Sequence, residues 1–127
     1  MNGLTYFLAG ASLGMIVFQS ALLTPLVFKQ LTGDIRGAFL RSLFPRFFLV
    51  LAGLGFMITA NSLAVGSYLG GILGGAVVIL ALLAYAIIPV TNRARDEGRT
   101  GTFKQLHLAS VVLTLTIGVI DLLLLMI

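Results

Sequence analysis

Charged residues divide this chain into long apolar stretches separated by short basic segments. Residues 1–28 and 47–92 carry no charged side chain, and beyond Gln105 the only formal charge is Asp121. A helix needs about 20 apolar residues to cross the hydrocarbon core of a membrane, so the stretch 47–92 suits two crossings. Asn, Ser and Gly residues between positions 61 and 67 favour a turn in its middle. The pattern predicts four transmembrane helices in one domain, residues 1–127, at about 4–28, 47–63, 68–90 and 103–127.

Composition agrees with an all-α membrane protein built from two helical hairpins. Hydrophobic residues make up 59% of the chain and charged residues 9%, against roughly 25% charged residues in a soluble domain. The lipid bilayer is therefore the expected partner, and nucleic acid is not, because the cations lie in short segments between spans. Cysteine is absent, which excludes disulfides and thiolate metal sites. We predict no metal and no cofactor.

The cations predict the orientation of the helices. All eight lie between spans one and two or between spans three and four: Lys29, Arg36, Arg41, Arg46, Arg93, Arg95, Arg99 and Lys104. The positive-inside rule makes these two loops cytoplasmic. Both termini then face outward from the cell inner (plasma) membrane. Contacts with lipid headgroups are expected for five of these side chains: Arg36, Arg41, Arg46, Arg93 and Arg95.

The first basic loop predicts a short amphipathic helix of its own. Thr32 or Asp34 can cap its N-terminus. Apolar side chains recur every four residues, at Ile35, Phe39 and Leu43. Arg36 and Arg41 fall on the other face, which suits the headgroup layer. Pro45 stands where this helix would end and the second span would begin, a position that proline tolerates.

Glycine spacing predicts close helix packing. GxxxG pairs occur in the first span and around the start of the third, at Gly10–Gly14, Gly66–Gly70, Gly70–Gly74 and Gly71–Gly75. Helices in lipid associate through such small residues because their backbones can approach closely. We expect the start of the third span to contact a neighbouring helix at backbone distance, either in this chain or in another.

Polar residues form a stripe along two spans. In the fourth span they fall within an arc of about 80° and comprise His107, Ser110, Thr114, Gly118 and Asp121. In the first span they recur every seven residues, at Thr5, Ser12 and Gln19. The two stripes are expected to face each other, or a narrow wet cavity, inside the bundle. The candidate residues for this polar interior are Gln19, His107, Ser110, Thr114 and Asp121.

Two ionisable groups in the fourth span have alternative interpretations. His107 fits a structural or interfacial histidine better than a haem or metal ligand, because a lone His makes a poor metal site. Asp121 fits a hydrogen bond between helices, with a proton or cation relay as the alternative. Its distance from Phe103 places it near the outer boundary, where it is expected to reach water or the Asn61 amide.

Two segments resemble a known family. The segment 18–48, "FQSALLTPLVFKQLTGDIRGAFLRSLFPRFF", resembles the first-hairpin signature of the transmembrane protein 205-like family, whose bacterial members carry domain of unknown function 4149. The signature positions to which the resemblance assigns a structural role are Pro25, Phe39, Phe44 and Pro45. The segment 92–110, "NRARDEGRTGTFKQLHLAS", is similar to the family's second loop. The resemblance implies a four-helix membrane fold and no established reaction.

Three functions are compatible with these features. The first is an accessory or assembly subunit that packs with itself or with a larger membrane complex, which the small-residue faces and short loops favour. The second is an oligomeric pathway for a small solute, an ion or a proton, which the polar stripes favour. The third is a haem-linked membrane enzyme centred on His107. We rank them in that order and expect no enzymatic activity.

Overall fold

The computed structural model describes all 127 residues and is entirely helical. Helix α1 (Gly3–Val17), a π-helical segment (Phe18–Leu23) and α2 (Thr24–Gln30) form one unbroken rod. Three long helices follow: α3 (Gly33–Ala64), α4 (Tyr68–Asp96) and α5 (Thr100–Met126). The first rod and these three helices are each long and apolar enough to cross a membrane, which is the architecture of a multi-pass membrane protein.

The helices join through turns that each contain one glycine in the left-handed region. These are Gly33 (φ 57°), Gly66 (φ 79°) and Gly98 (φ 71°). A residue with a Cβ is strained at such angles, and glycine is not. Connections this short make successive helices antiparallel neighbours.

The four rods surround a common apolar core. α1 packs against α3 and α5, and α4 also packs against α3 and α5, so α1 and α4 lie across the ring from each other. The larger core cluster contains Ile16, Leu51, Val77 and Ile117, one from each rod. A smaller cluster nearer the chain termini includes Leu8, Ile58 and Leu124. The long apolar helices therefore bury one face each and leave the remaining apolar surface outward.

α3 and α4 meet through glycines, as the spacing predicted, and the neighbour of the third span lies in this chain. A Cβ added at Gly74 would lie 2.6 Å from Thr59 Oγ1 and 2.7 Å from the Thr59 backbone nitrogen. A Cβ at Gly55 would lie 2.8 Å from Val77 Cγ1, and one at Gly70 would lie 2.6 Å from Ser62 Oγ. No real side chain fits at such distances, so the two backbones approach each other only because these residues are glycine.

The predicted short loop helix is not a separate element. Residues 33–44 form the first turns of the 32-residue helix α3, and Pro45 lies inside that helix rather than at a boundary. Proline removes one backbone hydrogen bond, and membrane helices accommodate this when neighbouring groups bond the backbone. Arg46 donates to the Ser42 carbonyl at 2.7 Å and to the Ser42 hydroxyl at 2.6 Å in the adjoining turn. The carbonyl that Pro45 leaves without its helical donor is that of Arg41, an exposed residue, and the helix continues through the proline.

The two ends of the bundle differ in charge. At one end the Arg41 guanidinium bonds the Asp96 carboxylate, which joins α3 to the end of α4 and brings the two basic connections together. At the other end Asn61 bonds Asn2, and no charged side chain is present in the α3–α4 turn. We call these the basic end and the opposite end.

Candidate functional site

The polar stripe of the first span is buried along its whole length. Thr5 and Ser12 are fully buried, and Gln19 is 8% exposed. The stripe faces inward because α1 packs against α5 and α3 on this side. In a membrane, buried polar groups need partners within the protein, because lipid offers none. The partners of the three residues differ, and this difference defines the candidate site.

Thr5 belongs to a bonded group that we call the terminal polar cluster: Asn2, Thr5, Asn61 and Ser62. The Asn61 side-chain amide donates to Asn2 Oδ1 at 2.7 Å and to Thr5 Oγ1 at 2.8 Å. Asn2 also caps α1 by accepting from the Thr5 backbone N–H at 3.1 Å. Ser62 Oγ lies 3.5 Å from Thr5 Oγ1. The cluster ties the start of α1 to the end of α3 with its polar atoms paired.

Ser12 and Asp121 form a second group, which we call the Ser12–Asp121 pair, and their oxygens are neighbours that do not reach full hydrogen-bond geometry. The Ser12 hydroxyl lies beside the Asp121 carboxyl between α1 and α5. Both side chains are fully buried. Ser12 Oγ and both carboxyl oxygens of Asp121 have no hydrogen-bond partner. Ionisable groups inside membrane helices are rare because their burial is unfavourable, and they commonly mark ion or proton pathways.

The expectation that Asp121 reaches water or the Asn61 amide is wrong. The carboxyl is 0% exposed, and the Asn61 amide is already bonded to Asn2 and Thr5. Asp121 lies five residues before the end of α5, and Ser12 lies nine residues after the start of α1. At 1.5 Å per residue the two residues lie about 8 Å and 14 Å from these helix ends. The carboxyl is therefore buried between helices, more than one turn inside the opposite end.

Gln19 lies in the π-helical segment, where its side chain bonds locally. Its amide donates to Thr24 Oγ1 at 2.7 Å, and its carbonyl accepts from Ser20 Oγ at 3.1 Å. Pro25 follows at the start of α2. A π-turn inserts an extra residue into a helix and often occurs at functional sites. Here the π-helical segment directs the Gln19 side chain inward, and the polar atoms of that side chain remain hydrogen-bonded.

The α5 stripe is buried only in its later half. Thr114 and Gly118 are buried together with Asp121, Ser110 is half-buried and His107 is exposed. Thr114 donates its hydroxyl to the Ser110 carbonyl at 2.8 Å, so its polar group is paired within its own helix. His107 instead stacks on Phe103 with the ring centres 5.9 Å apart. The histidine therefore lies on the surface at the basic end, apart from the buried pair.

The arginines of the basic end differ in their partners. Arg41 bonds Asp96, and its guanidinium lowers the pKa of that carboxyl, first through the hydrogen bond and then through its charge. Both groups lie beyond the uncharged stretches, on the exposed surface. The Arg36 and Arg95 guanidinium groups lie over the Phe28 and Phe103 rings, 4.7 Å and 5.9 Å from the ring centres. Arg46 bonds within α3, as described above, and Arg93 is exposed.

Comparison with known families identifies the chain's relatives. The family described as a domain of unknown function, DUF4149, matches residues 7–100. The chain belongs to this family. No curated protein and no solved structure matches the chain. The matched part of the DUF4149 chain contains Ser12, Gln19 and the α3–α4 glycines, whereas His107 and Asp121 lie beyond it.

Two members of the polar groups were not predicted as site residues. Asn2 directly precedes α1, and an Asn in that position is typical of an N-cap. Ser62 follows Asn61 near the end of α3, and nothing in the sequence around it distinguishes it from a serine in an ordinary turn. The role of Asn2 could have been predicted from capping preferences. The role of Ser62 could not, because it depends on which helix packs against α3.

Proposed function

We propose that this DUF4149 protein is an assembly or accessory subunit of the membrane, which packs with itself or with a larger membrane complex. The supporting observation is an outward face of α1 that we call the glycine face: Phe7, Gly10, Gly14 and Val17. These residues recur at helical spacing, and a Cβ added at Gly10 or Gly14 would meet nothing within 4 Å. Four glycines of α3 and α4, by contrast, already face the other helix at less than 3 Å from an added Cβ: Gly55, Gly70, Gly71 and Gly74.

The flanking side chains give the glycine face the shape of a helix-docking groove. Phe7 is 70% exposed and Val17 is 55% exposed, on either side of the two glycines. A second helix that crosses at Gly10 and Gly14 gains close backbone contact and packs against both larger side chains. Lipid tails fill such a groove less completely than a complementary helix does.

Single-cysteine crosslinking tests this proposal cleanly, because the chain contains no cysteine. Val17→Cys places a thiol on the glycine face, and Leu115→Cys places one at similar exposure, 59%, on α5. We expect oxidation in native membranes to crosslink Val17→Cys to another chain and to leave Leu115→Cys monomeric. Equal crosslinking of both variants, or of neither, would count against the glycine face as the assembly surface.

We also propose the orientation and the finer family relation. The eight cations at the basic end support a cytoplasmic position for that end under the positive-inside rule, with both termini outside the inner (plasma) membrane. The residues shared with the transmembrane protein 205-like family support a relation to that group. A cysteine introduced at position 95 is expected to resist impermeant thiol reagents in intact cells, and labelling there would reverse the orientation.

The Ser12–Asp121 pair favours a second candidate, an oligomeric pathway for protons or small cations. Three buried oxygens without partners can share a proton or hold a small cation when the helices part. One bundle of four closely packed helices leaves little room for a pore, so an assembly is needed. For this candidate we expect Asp121→Asn and His107→Ala to preserve assembly and abolish flux in proteoliposomes, and unchanged flux in both would exclude it.

A further inference from the structure

A cleft opens at the basic end between the end of the first rod, the end of α4 and the start of α5. Its volume is about 360 Å³, within the range of small-molecule sites. Phe28 and Phe103 form aromatic walls, and Arg95, Thr100 and His107 supply the polar groups. The cleft is therefore apolar over much of its lining and basic at its polar positions.

Two arginines are held against the aromatic walls. The Arg95 guanidinium lies over the Phe103 ring, 5.9 Å from its centre, and the Arg36 guanidinium lies over the Phe28 ring at 4.7 Å. Arg36 Nε is buried and has no hydrogen-bond partner. Stacking on an aromatic ring orients a guanidinium while its remaining N–H groups stay available for an anion.

The charged side chains that line this cleft are basic, which distinguishes it from its neighbour, although Arg95 borders both clefts. None of its lining residues is acidic. The second cleft at the basic end, about 380 Å³, contains Asp34 and Asp96 beside Arg41 and Arg95. There Asp96 already bonds Arg41. An anion is therefore attracted to the first cleft and meets acidic side chains in the second.

We propose that the first cleft binds one anionic phospholipid. Its phosphate contacts Arg95, with Arg36 beside it, and the first carbons of an acyl chain lie against Phe28 and Phe103. An amphiphile fits better than a free anion because the aromatic walls contribute no polar contact. A guanidinium binds phosphate through charge-assisted hydrogen bonds, the strongest available to such a site.

Native mass spectrometry of the purified full chain in neutral detergent tests the proposal, with phosphatidylglycerol as the probe. We expect one bound phosphatidylglycerol per chain and much weaker retention of phosphatidylcholine. Arg95→Gln is expected to lower phosphatidylglycerol retention by about tenfold, as loss of a charge-assisted contact implies. The matched control Lys104→Gln removes the same charge from an exposed position on α5, outside both clefts.

A second pair of variants tests the apolar wall. Phe28→Ala removes a side chain that is 53% exposed and lines the cleft, and Phe18→Ala removes one that is 55% exposed and does not. Only Phe28→Ala is expected to weaken lipid retention. Equal losses of lipid retention in Lys104→Gln and Arg95→Gln would overturn the site, since net charge alone would explain them. Displacement of the lipid by inorganic phosphate would overturn the choice of an amphiphile.

Discussion

Two helix–helix contacts, which we call seams, consist of different kinds of residue: the seam between α3 and α4 and the seam between α1 and α5. The first is made of glycines so close to the facing helix that an added Cβ would lie 2.6–2.8 Å from its atoms. The second contains a buried serine and a buried aspartate whose oxygens have no partner. At Gly118 in the second seam an added Cβ would lie 3.8 Å from Leu13, an ordinary contact.

The difference separates a fixed contact from one that can change. A glycine seam gains its stability from van der Waals packing, which is lost as soon as the helices part. A seam with unpaired polar groups breaks no side-chain hydrogen bond at Ser12 or Asp121 when it opens. We therefore expect α3 and α4 to move as one body and α1 to shift against α5.

The largest expected effect is at the centre of the glycine seam. Gly74→Ala places a Cβ 2.7 Å from the Thr59 backbone nitrogen, so the helices must separate. We expect a loss of about 2–3 kcal/mol, as for overpacked cores. Gly75→Ala is the control, because its Cβ meets nothing within 4 Å. Circular dichroism during unfolding in mixed detergent and SDS would measure both, and similar losses would remove the distinction between the seams.

A smaller loss is expected from the terminal polar cluster. Asn61→Ala removes the amide that donates to Asn2 and Thr5, so both of these hydrogen bonds are lost, while Asn2 Oδ1 keeps the Thr5 backbone N–H as a donor. We expect a loss of about 1–2 kcal/mol in the same unfolding experiment. Asn92→Ala is the control, since Asn92 is half-buried and its side chain makes no hydrogen bond. No change in Asn61→Ala would mean that the cluster contributes nothing to the bundle.

Substitution of Asp121 in the Ser12–Asp121 pair should change the free energy of unfolding much less than Asn61→Ala does. Asp121→Asn keeps the shape of the side chain and breaks no hydrogen bond. We expect the free energy of unfolding to change by less than about 0.5 kcal/mol, and Asp121→Leu to be neutral or stabilising despite its larger volume. A loss as large as that of Asn61→Ala in both variants would show that the carboxyl holds the helices together.

The smallest effect is expected at the exposed Arg41–Asp96 ion pair. The pKa of Asp96 lies below its ordinary value of 3.8 because of Arg41, so the ion pair stabilises the fold above that pH and is lost as the pH falls further. The free energy of unfolding of Arg41→Gln should therefore differ slightly from that of the parent at pH 7, and the difference should shrink as the pH falls from 3.8 towards 2. The free energy of unfolding of Arg93→Gln should match that of the parent both at pH 7 and near pH 2. A difference that persists in acid would rule out the ion pair as its cause.

Much of the fold follows from the arrangement of charges and glycines along the chain. Four apolar helices, the two basic connections at one end and the close contact at Gly70 and Gly74 were all predictable, because lipid imposes length and polarity on each span. The continuity of α3 through Pro45 was not predictable, since a proline at this position is equally compatible with a boundary between two helices. The lack of a partner for Asp121 was not predictable either. The Asn61 amide bonds Asn2 and Thr5 instead, and only the packing of α1 against α3 decides this.

The central claim is that this DUF4149 protein acts within an assembly. Its most direct test is the mass of the particle that the tagged 13.5 kDa chain occupies when native membranes are cut into polymer nanodiscs. We predict particles that contain a second copy or a larger membrane protein, and a Gly14→Leu variant that loses this partner while remaining folded. Particles that contain one chain and lipid only, for parent and variant alike, would contradict the account.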